Sequence, residues 1–291
     1  MKDLYSEVTQ TIISALEQGA PPWICPWQNG THLPSNLVTG KTYRGINVLI
    51  LTIAASATHH ADHRWLTFRQ AQELGLRIRQ GERGTLIVFY TLHAVEANGD
   101  ADPTTHSNQR VVPLLRSYTV FNANQLESLP ERMVRATAAW QALEAGEKLI
   151  ADSGATFHFD GSRAIYRPDL DQIQLPPRES FPQPGDFYAT ALHELTHWTG
   201  HPSRLNRILA PRRELEAYAY EELVAEIGAA FLCANCHLPG RLEHASYIDS
   251  WLNALRRDKR LIFTAAGAAQ KAADFVLNLV QQSDMATVRS H

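Results

Sequence analysis

Two histidines four residues apart, His193 and His197, bracket a glutamate in the pentad His193-Glu194-Leu195-Thr196-His197. No other stretch constrains the chain as strongly. On a helix, that spacing brings both imidazoles to one face, a turn apart. The flanks supply the helix: Phe187 to Leu195 reads as helical, and Thr199-Gly200 reads as its stop. Imidazoles so placed suit one tetrahedral cation, Zn²⁺ or another divalent metal. Glu194 lies beside them as the catalytic base, placed to take a proton from a water at the cation.

Two histidines leave such a site incomplete, because a third protein ligand and an open position are needed. Position 203 is serine where one known pattern has histidine. His201 is an alternative if the chain folds back after Gly200. The stronger candidate is Glu222, in Glu221-Glu222-Leu223-Val224-Ala225-Glu226. Glu222 and Glu226 share a helix face with an apolar stripe of Leu223, Val224, Ile227 and Phe231, where a carboxylate is costly unless it meets a cation or donors. We expect Glu222 on the metal and Glu226 behind it, accepting a hydrogen bond from a ligand imidazole, with the reverse assignment open. Glu221 is expected to be solvated. Tyr218, one turn before Glu222, could donate to a developing oxyanion, with core packing as its alternative. A structural zinc would call for thiolates, and no Cys-x-x-Cys accompanies this helix.

Composition narrows the class. The chain has 291 residues, 44% of them hydrophobic and 20% charged, which is ordinary for a globular protein and fits two domains. Three cysteines exclude a disulfide-stapled secreted scaffold. Asp3 and Glu7 interrupt any apolar signal core, and no run approaches the ~18 apolar residues of a membrane span. The expectation is a soluble, cytoplasmic protein without a membrane partner. Cys233-Ala-Asn-Cys236-His237 matches a haem-attachment pattern, but it continues the Glu222 helix, and two buried cysteines are the simpler reading.

Formal net charge is -3, yet Leu37 to His93 holds seven bases (Lys41, Arg44, Arg64, Arg69, Arg77, Arg79, Arg83) against three acids (Asp62, Glu73, Glu82). That local excess can track phosphates, or it can be a solvated face. The same half interleaves aromatics with bases and amides: Trp23, Trp27, Lys41, Tyr43, Arg44, Asn47, Arg64, Trp65, Arg83, Tyr118 and Asn122. Such a mixture is what a single-strand platform needs, with bases stacking on rings and cations following the backbone.

The rest of the chain reads as follows. Leu4, Val8, Ile12 and Leu16 mark an opening helix that stops at Gly19. Thr67 and Gln70 form a capping box for a short helix closed by Gly75. Thr85 to Tyr90 and Arg116 to Phe121 read as strands, and Asn98 to Arg110 as a polar loop. A helix is expected over Met133 to Ser153, then strands at Thr156 to Phe159 and Asp171 to Leu175, then helices. The second strand could serve as an edge beside which an extended peptide lies. Trp140 and Trp251 read as core. Both halves are α+β, with a boundary between residues 130 and 131.

The ordered motifs resemble the ArdC-type antirestriction proteins of conjugative plasmids and the N-terminal regions of related plasmid primases. The resemblance runs nearly the full chain. In the first half it rests on Pro22-Trp23, Pro26-Trp27, Thr39 to Asn47, Arg64 to Phe68, Gly81 to Gly84 and Val120-Phe121-Asn122; in the second, on His193 to His201, Ser203 to Arg207 and Glu221 to Glu226. It implies a mixed α+β domain over 1–130 that binds single-stranded DNA. A mainly helical, zincin-like metallopeptidase domain over 131–291 would follow. The implied role is protection of incoming plasmid DNA from the recipient's restriction enzymes. That protection could come from shielding the strand or from cleaving a host restriction enzyme. Two alternatives accompany it: a DNA protector whose zincin half is only a metal-stabilised scaffold, and a soluble metallopeptidase whose first half binds a protein substrate.

Overall fold

The computed structural model describes residues 3–19, 21, 23, 32–96, 109–128, 139–210, 214–238 and 247–289. Trp27, Cys25, residues 98–108 of the polar loop and residues 133–138 of the expected helix lie outside that set. Helix α1 (Leu4–Glu17) starts at Asp3, whose Oδ1 accepts from the Tyr5 amide at 3.1 Å. It buries Val8, Ile12, Ile13 and Leu16, and Gly19 takes the left-handed backbone after its end. Strand β1 (Ser35–Asn36) is followed by α2 (Ile46–Ala57), β2 (Arg64–Thr67), α3 (Phe68–Glu73), β3 (Thr85–Glu96) and β4 (Gln109–Asn122). The capping box at α3 forms as the sequence suggests, from Thr67 and Gln70. These strands make one sheet in the order β1-β2-β4-β3. In it Val120 stands opposite both Thr67 and Thr85.

Helix α2 has no counterpart in the periodic reading of the sequence. It is apolar nearly all round and buries Ile46 through Thr52 without interruption, so it shows no stripe.

The second half opens with α4 (Ala139–Asp152), then β5 (Thr156–His158), β6 (Ile165–Arg167) and β7 (Gln172–Gln174). Their order is β5-β7-β6, so β7 is paired on both sides. The expectation that Asp171 to Leu175 offers a free edge therefore fails; β6 and β5 are the edges. Helices α5 (Pro184–Trp198), α6 (Leu215–Asn235), α7 (Ile248–Arg257) and α8 (Leu261–Arg289) complete the chain. The α+β class holds. No helix among the described residues is long and apolar enough to cross a membrane.

The largest hydrophobic cluster among the described residues runs through both halves, from Val8, Ile12 and Leu49 to Leu192, Leu223, Ile227 and Val276, and two small clusters lie beside the first sheet. Trp23 packs edge-on against Trp251 with ring centroids 5.4 Å apart, and the Trp251 indole donates to the Ala219 carbonyl at 2.9 Å. The Thr9 hydroxyl donates to the Lys259 carbonyl at 2.7 Å. Cys233 and Cys236 are buried, and burial pushes both thiols upward, Cys236 to about 12.

Candidate metal centre and nucleic-acid groove

Helix α5 begins with Pro184 at its first turn, where the missing amide hydrogen is not needed, and carries His193, Glu194 and His197 into the core. Helix α6 lies against it. The approach is close because position 228 is glycine: a Cβ there would stand 2.5 Å from Thr196 Cγ2. Thr196 is itself fully buried, with its hydroxyl donating to the Leu192 carbonyl at 2.8 Å. The two helices thereby bring Glu222 to the histidine pair.

The ligand atoms of His193, His197 and Glu222 all lie within 4.8 Å of one another, and no other such group occurs among the described residues. His193 Nε2 and His197 Nε2 are 3.1 Å apart. Glu222 Oε2 is 3.6 Å from His193 Nε2, and its Oε1 is 3.5 Å from His197 Nε2. Ligand bonds of about 2.0–2.1 Å at tetrahedral angles would separate the donor atoms by roughly 3.3 Å. The three side chains thus fit a divalent cation in both donor chemistry and spacing. His201 is not part of the group; its Nδ1 is paired with the Ser203 hydroxyl at 2.7 Å.

Electrostatics agree with the spacing. Burial disfavours the charged form of His197, but hydrogen bonds to Glu221 and Glu222 outweigh it and push its pKa up to about 10. Burial likewise opposes ionisation of Glu222, yet the two histidines hold its carboxyl far below the usual range. The site is built to surround positive charge.

Glu221 departs from the sequence expectation of a solvated side chain. It is 4% exposed, and its Oε1 meets His197 Nδ1 at 3.2 Å. Arg207 donates to both of its oxygens, at 3.0 and 2.8 Å, and also reaches the Thr196 carbonyl at 2.7 Å and the Thr199 hydroxyl at 2.8 Å. A carboxylate on Nδ1 turns Nε2 toward the ligand cluster. The carboxylate behind His197 is thus Glu221. Glu226 is buried at 1% exposure on the same helix. The available signal was the pair Arg204 and Arg207 just past the helix stop, with no acid nearby in sequence to neutralise them. Arg204 stacks over Trp198, its guanidinium carbon 3.8 Å from the ring centroid, and pairs with Asp171 on the turn before β7.

Glu194 is buried, and its Oε2 accepts the Tyr166 amide of β6 at 2.7 Å. Tyr218 is half-buried. Burial, the Tyr247 hydroxyl at 3.4 Å and the neighbouring Glu222 all raise its pKa, so the phenol stays protonated.

The aromatic and basic residues of the first half separate into two sets. Trp23 and Trp65 are core, Trp65 at 1% exposure. Asn47 clamps β3, its amide donating to the Val88 carbonyl at 2.7 Å while its oxygen accepts the Val88 amide at 2.9 Å. Asn122, fully buried, caps the short 3-10 turn Ala123–Gln125 and donates to the Asp62 carbonyl at 2.8 Å. Arg64 is buried in a pair with Asp62. Trp23, Trp65, Asn122 and Arg64 present no surface for stacking or for phosphate, whereas Asn47, although buried, lines the same groove as the second set.

The other set reaches the surface: Lys41, Arg44 and Tyr118 are exposed, and Tyr43 is partly buried against the core. Lys41, Tyr43, Arg44 and Tyr118 line a groove of about 930 Å³, whose lining also includes Phe89 and Tyr90, residues not singled out from sequence. Phe89 and Tyr118 meet edge to face at 5.5 Å, with 43% and 48% of their surfaces exposed. Arg83 is exposed but does not line the groove.

A histidine pair and a glutamate from two packed helices, with a second glutamate inside the pair, define a zincin-like centre. The family model described as a zincin-like metallopeptidase matches residues 144–268, and the N-terminal domain of anti-restriction factor ArdC matches residues 2–121. The chain superposes on the metal-free crystal structure of the antirestriction ArdC protein from plasmid R388 with a TM-score of 0.82 and 40% identity, over 97% of this chain and 99% of that one. The Mn(II)-bound structure of that protein gives 0.76 at 40% identity, over 96% and 98%. Protein y4eC of Sinorhizobium fredii is 41% identical over 97% of this chain and 93% of its own length. Two DNA primase TraC proteins of Escherichia coli are 42% and 38% identical, but the chain spans only 28% and 20% of their lengths. The chain belongs to the ArdC antirestriction family.

Proposed function

We propose that this protein binds single-stranded DNA and carries a zinc metallopeptidase-type centre, and that it protects incoming DNA from restriction in a recipient cell. The observation that carries the catalytic half is the cluster of His193, His197 and Glu222 with Glu194 held beside it. His193, His197 and Glu222 would hold the cation, zinc by donor type. When bound, the cation supplies Lewis acidity for hydrolysis of a carbonyl compound. Glu194 acts as the base: Oε2 is anchored by the Tyr166 amide, so the carboxylate is oriented before a proton arrives. His197 is oriented by Glu221, itself fixed by Arg207. Tyr218 donates from its phenol to charge developing on the substrate oxygen. An extended peptide would lie along β6, the sheet edge that already touches Glu194.

For DNA, the reading rests on Lys41, Tyr43, Arg44 and Tyr118, which line the groove, and on membership of the family. The R388 relative's Mn(II) form supports a divalent metal here as well. The deciding experiment pairs two variants in a plasmid-transfer assay with a restricting recipient. Glu194→Gln should abolish protection while leaving strand binding intact, and Arg44→Ala/Tyr118→Ala should weaken both. Full protection by Glu194→Gln would instead make the centre a metal-stabilised scaffold. Absence of salt-sensitive strand binding in the native protein would remove the DNA half of the reading.

A further inference from the structure

Gly267 sits in the interior of the 29-residue helix α8. Glycine at such a position weakens a helix relative to alanine, and it is usually kept for a left-handed backbone or a close approach. Gly267 has neither reason. It is not among the positive-φ glycines, and a Cβ built there would meet nothing within 4 Å. Its neighbours at 265, 266, 268 and 269 are all alanine. Gly228, where a Cβ would strike Thr196, shows what a packing glycine looks like in this same molecule. What Gly267 does border is the groove of the first half.

Helix α8 forms the far wall of that groove through Phe263, Gly267, Gln270, Lys271 and Asp274. The contact between the halves is specific: Gln270 Oε1 accepts the Gly45 amide at 3.0 Å, and its amide donates to Asp274 Oδ1 at 3.1 Å. Asp274 in turn pairs with Arg44, whose side chain remains 60% exposed. Three cations, Lys41, Arg44 and Lys271, therefore meet one acid in the groove lining, and that acid pairs with Arg44. The interior is mostly apolar and aromatic. Unpaired bases offer their faces to rings such as Phe89 and Tyr118, whereas a duplex keeps those faces stacked inside.

We propose that the groove is a single-stranded DNA channel shared by the two halves, with Gly267 leaving space on the α8 wall for a base and Asp274 covering Arg44 until a phosphate displaces it. The proposal rests on the DNA-binding reading above. It goes beyond that reading by making the metallopeptidase half a wall of the DNA site, so that strand occupancy is felt directly by the helix packed against α6.

The test uses the full chain and a fluorescent oligothymidylate, with anisotropy read at about 50 and about 200 mM salt. Gly267→Trp should weaken binding about tenfold or more, the scale of one lost stacked base. Gly267→Ala, which adds little volume, should bind like the native protein and melt higher. Asp274→Asn should tighten binding by about threefold or more at the lower salt, with the gain shrinking at the higher salt as screening rises. Unchanged melting and metal uptake in Gly267→Trp would show that it folds; should it misfold, Asp274→Asn carries the test alone. Native, strand-selective binding that ignores both Gly267→Trp and Asp274→Asn would overturn the channel and leave the DNA reading standing. Preference for duplex would overturn the channel as drawn. A native protein that binds no strand would defeat the DNA reading itself.

Discussion

The metal centre and the groove solve opposite problems. At the centre, charge is buried and each carboxylate is tied down: Glu222 by two histidines, Glu221 by His197 and Arg207, Glu194 by a backbone amide. In the groove, rings that would be stable in a core are left half in water, and cations pair at the surface or face solvent. A buried charged site has to be fixed in advance, because an uncompensated carboxylate in a core is destabilising. A surface proposed to bind a strand must stay open, because its ligand supplies the missing contacts. The contrast yields graded predictions.

The largest effects should fall at the centre. Glu222→Gln should remove most of the metal-dependent rise in melting temperature, since it takes away one of three ligands. Arg207→Ala acts one step back, by releasing Glu221, and should weaken metal affinity by about 10–100-fold. Titration of metal against the thermal midpoint would measure both. If Arg207→Ala left metal affinity unchanged, the support that Glu221 gives His197 would not contribute to holding the cation.

These residues differ in how far sequence alone could place them. His193, Glu194, His197 and Glu222 were legible because helical spacing is a rigid ruler, and two such rulers meet once an apolar stripe says which faces touch. Glu221 was not. It is next to Glu222, a hundred degrees around the helix, and only the return of the chain through Arg207 makes that flank an interior. Trp65 and Tyr118 were indistinguishable by composition, both aromatic and both near arginines. Pairing β2 and β3 on either side of β4 put one inside and the other out. Helix α2 escaped because a helix buried on every side has no polar face to reveal its period.

A smaller effect should separate packing from chemistry within the second half. Gly228→Ala forces a methyl against Thr196, an overpacking that should cost about 1–3 kcal/mol in chemical denaturation. Adding Thr196→Ala removes the opposing Cγ2 and should restore part of the loss, beyond the sum of the two single effects. Strict additivity would mean that the approach of α5 and α6 is set elsewhere in the interface.

The same division can be drawn inside the first half with Asn47 and Tyr118, both candidates for DNA contact by sequence. Asn47→Ala leaves the amide and carbonyl of Val88 without their partner in a buried setting, which should destabilise by about 1–3 kcal/mol. Any fall in DNA affinity should then track the unfolded fraction and disappear under conditions where the variant is fully folded. Tyr118 has no such structural duty: its ring is half exposed and touches Phe89 edge-on. Tyr118→Ala should move stability by less than about 0.5 kcal/mol, as surface substitutions do. It should weaken single-strand binding by about 1–3 kcal/mol if one base stacks there. Parallel melting and anisotropy curves on the two variants would settle the division. A Tyr118→Ala protein that melts early and binds normally would place that ring with the core, and the groove would lose the residue that most marks it as a platform for bases.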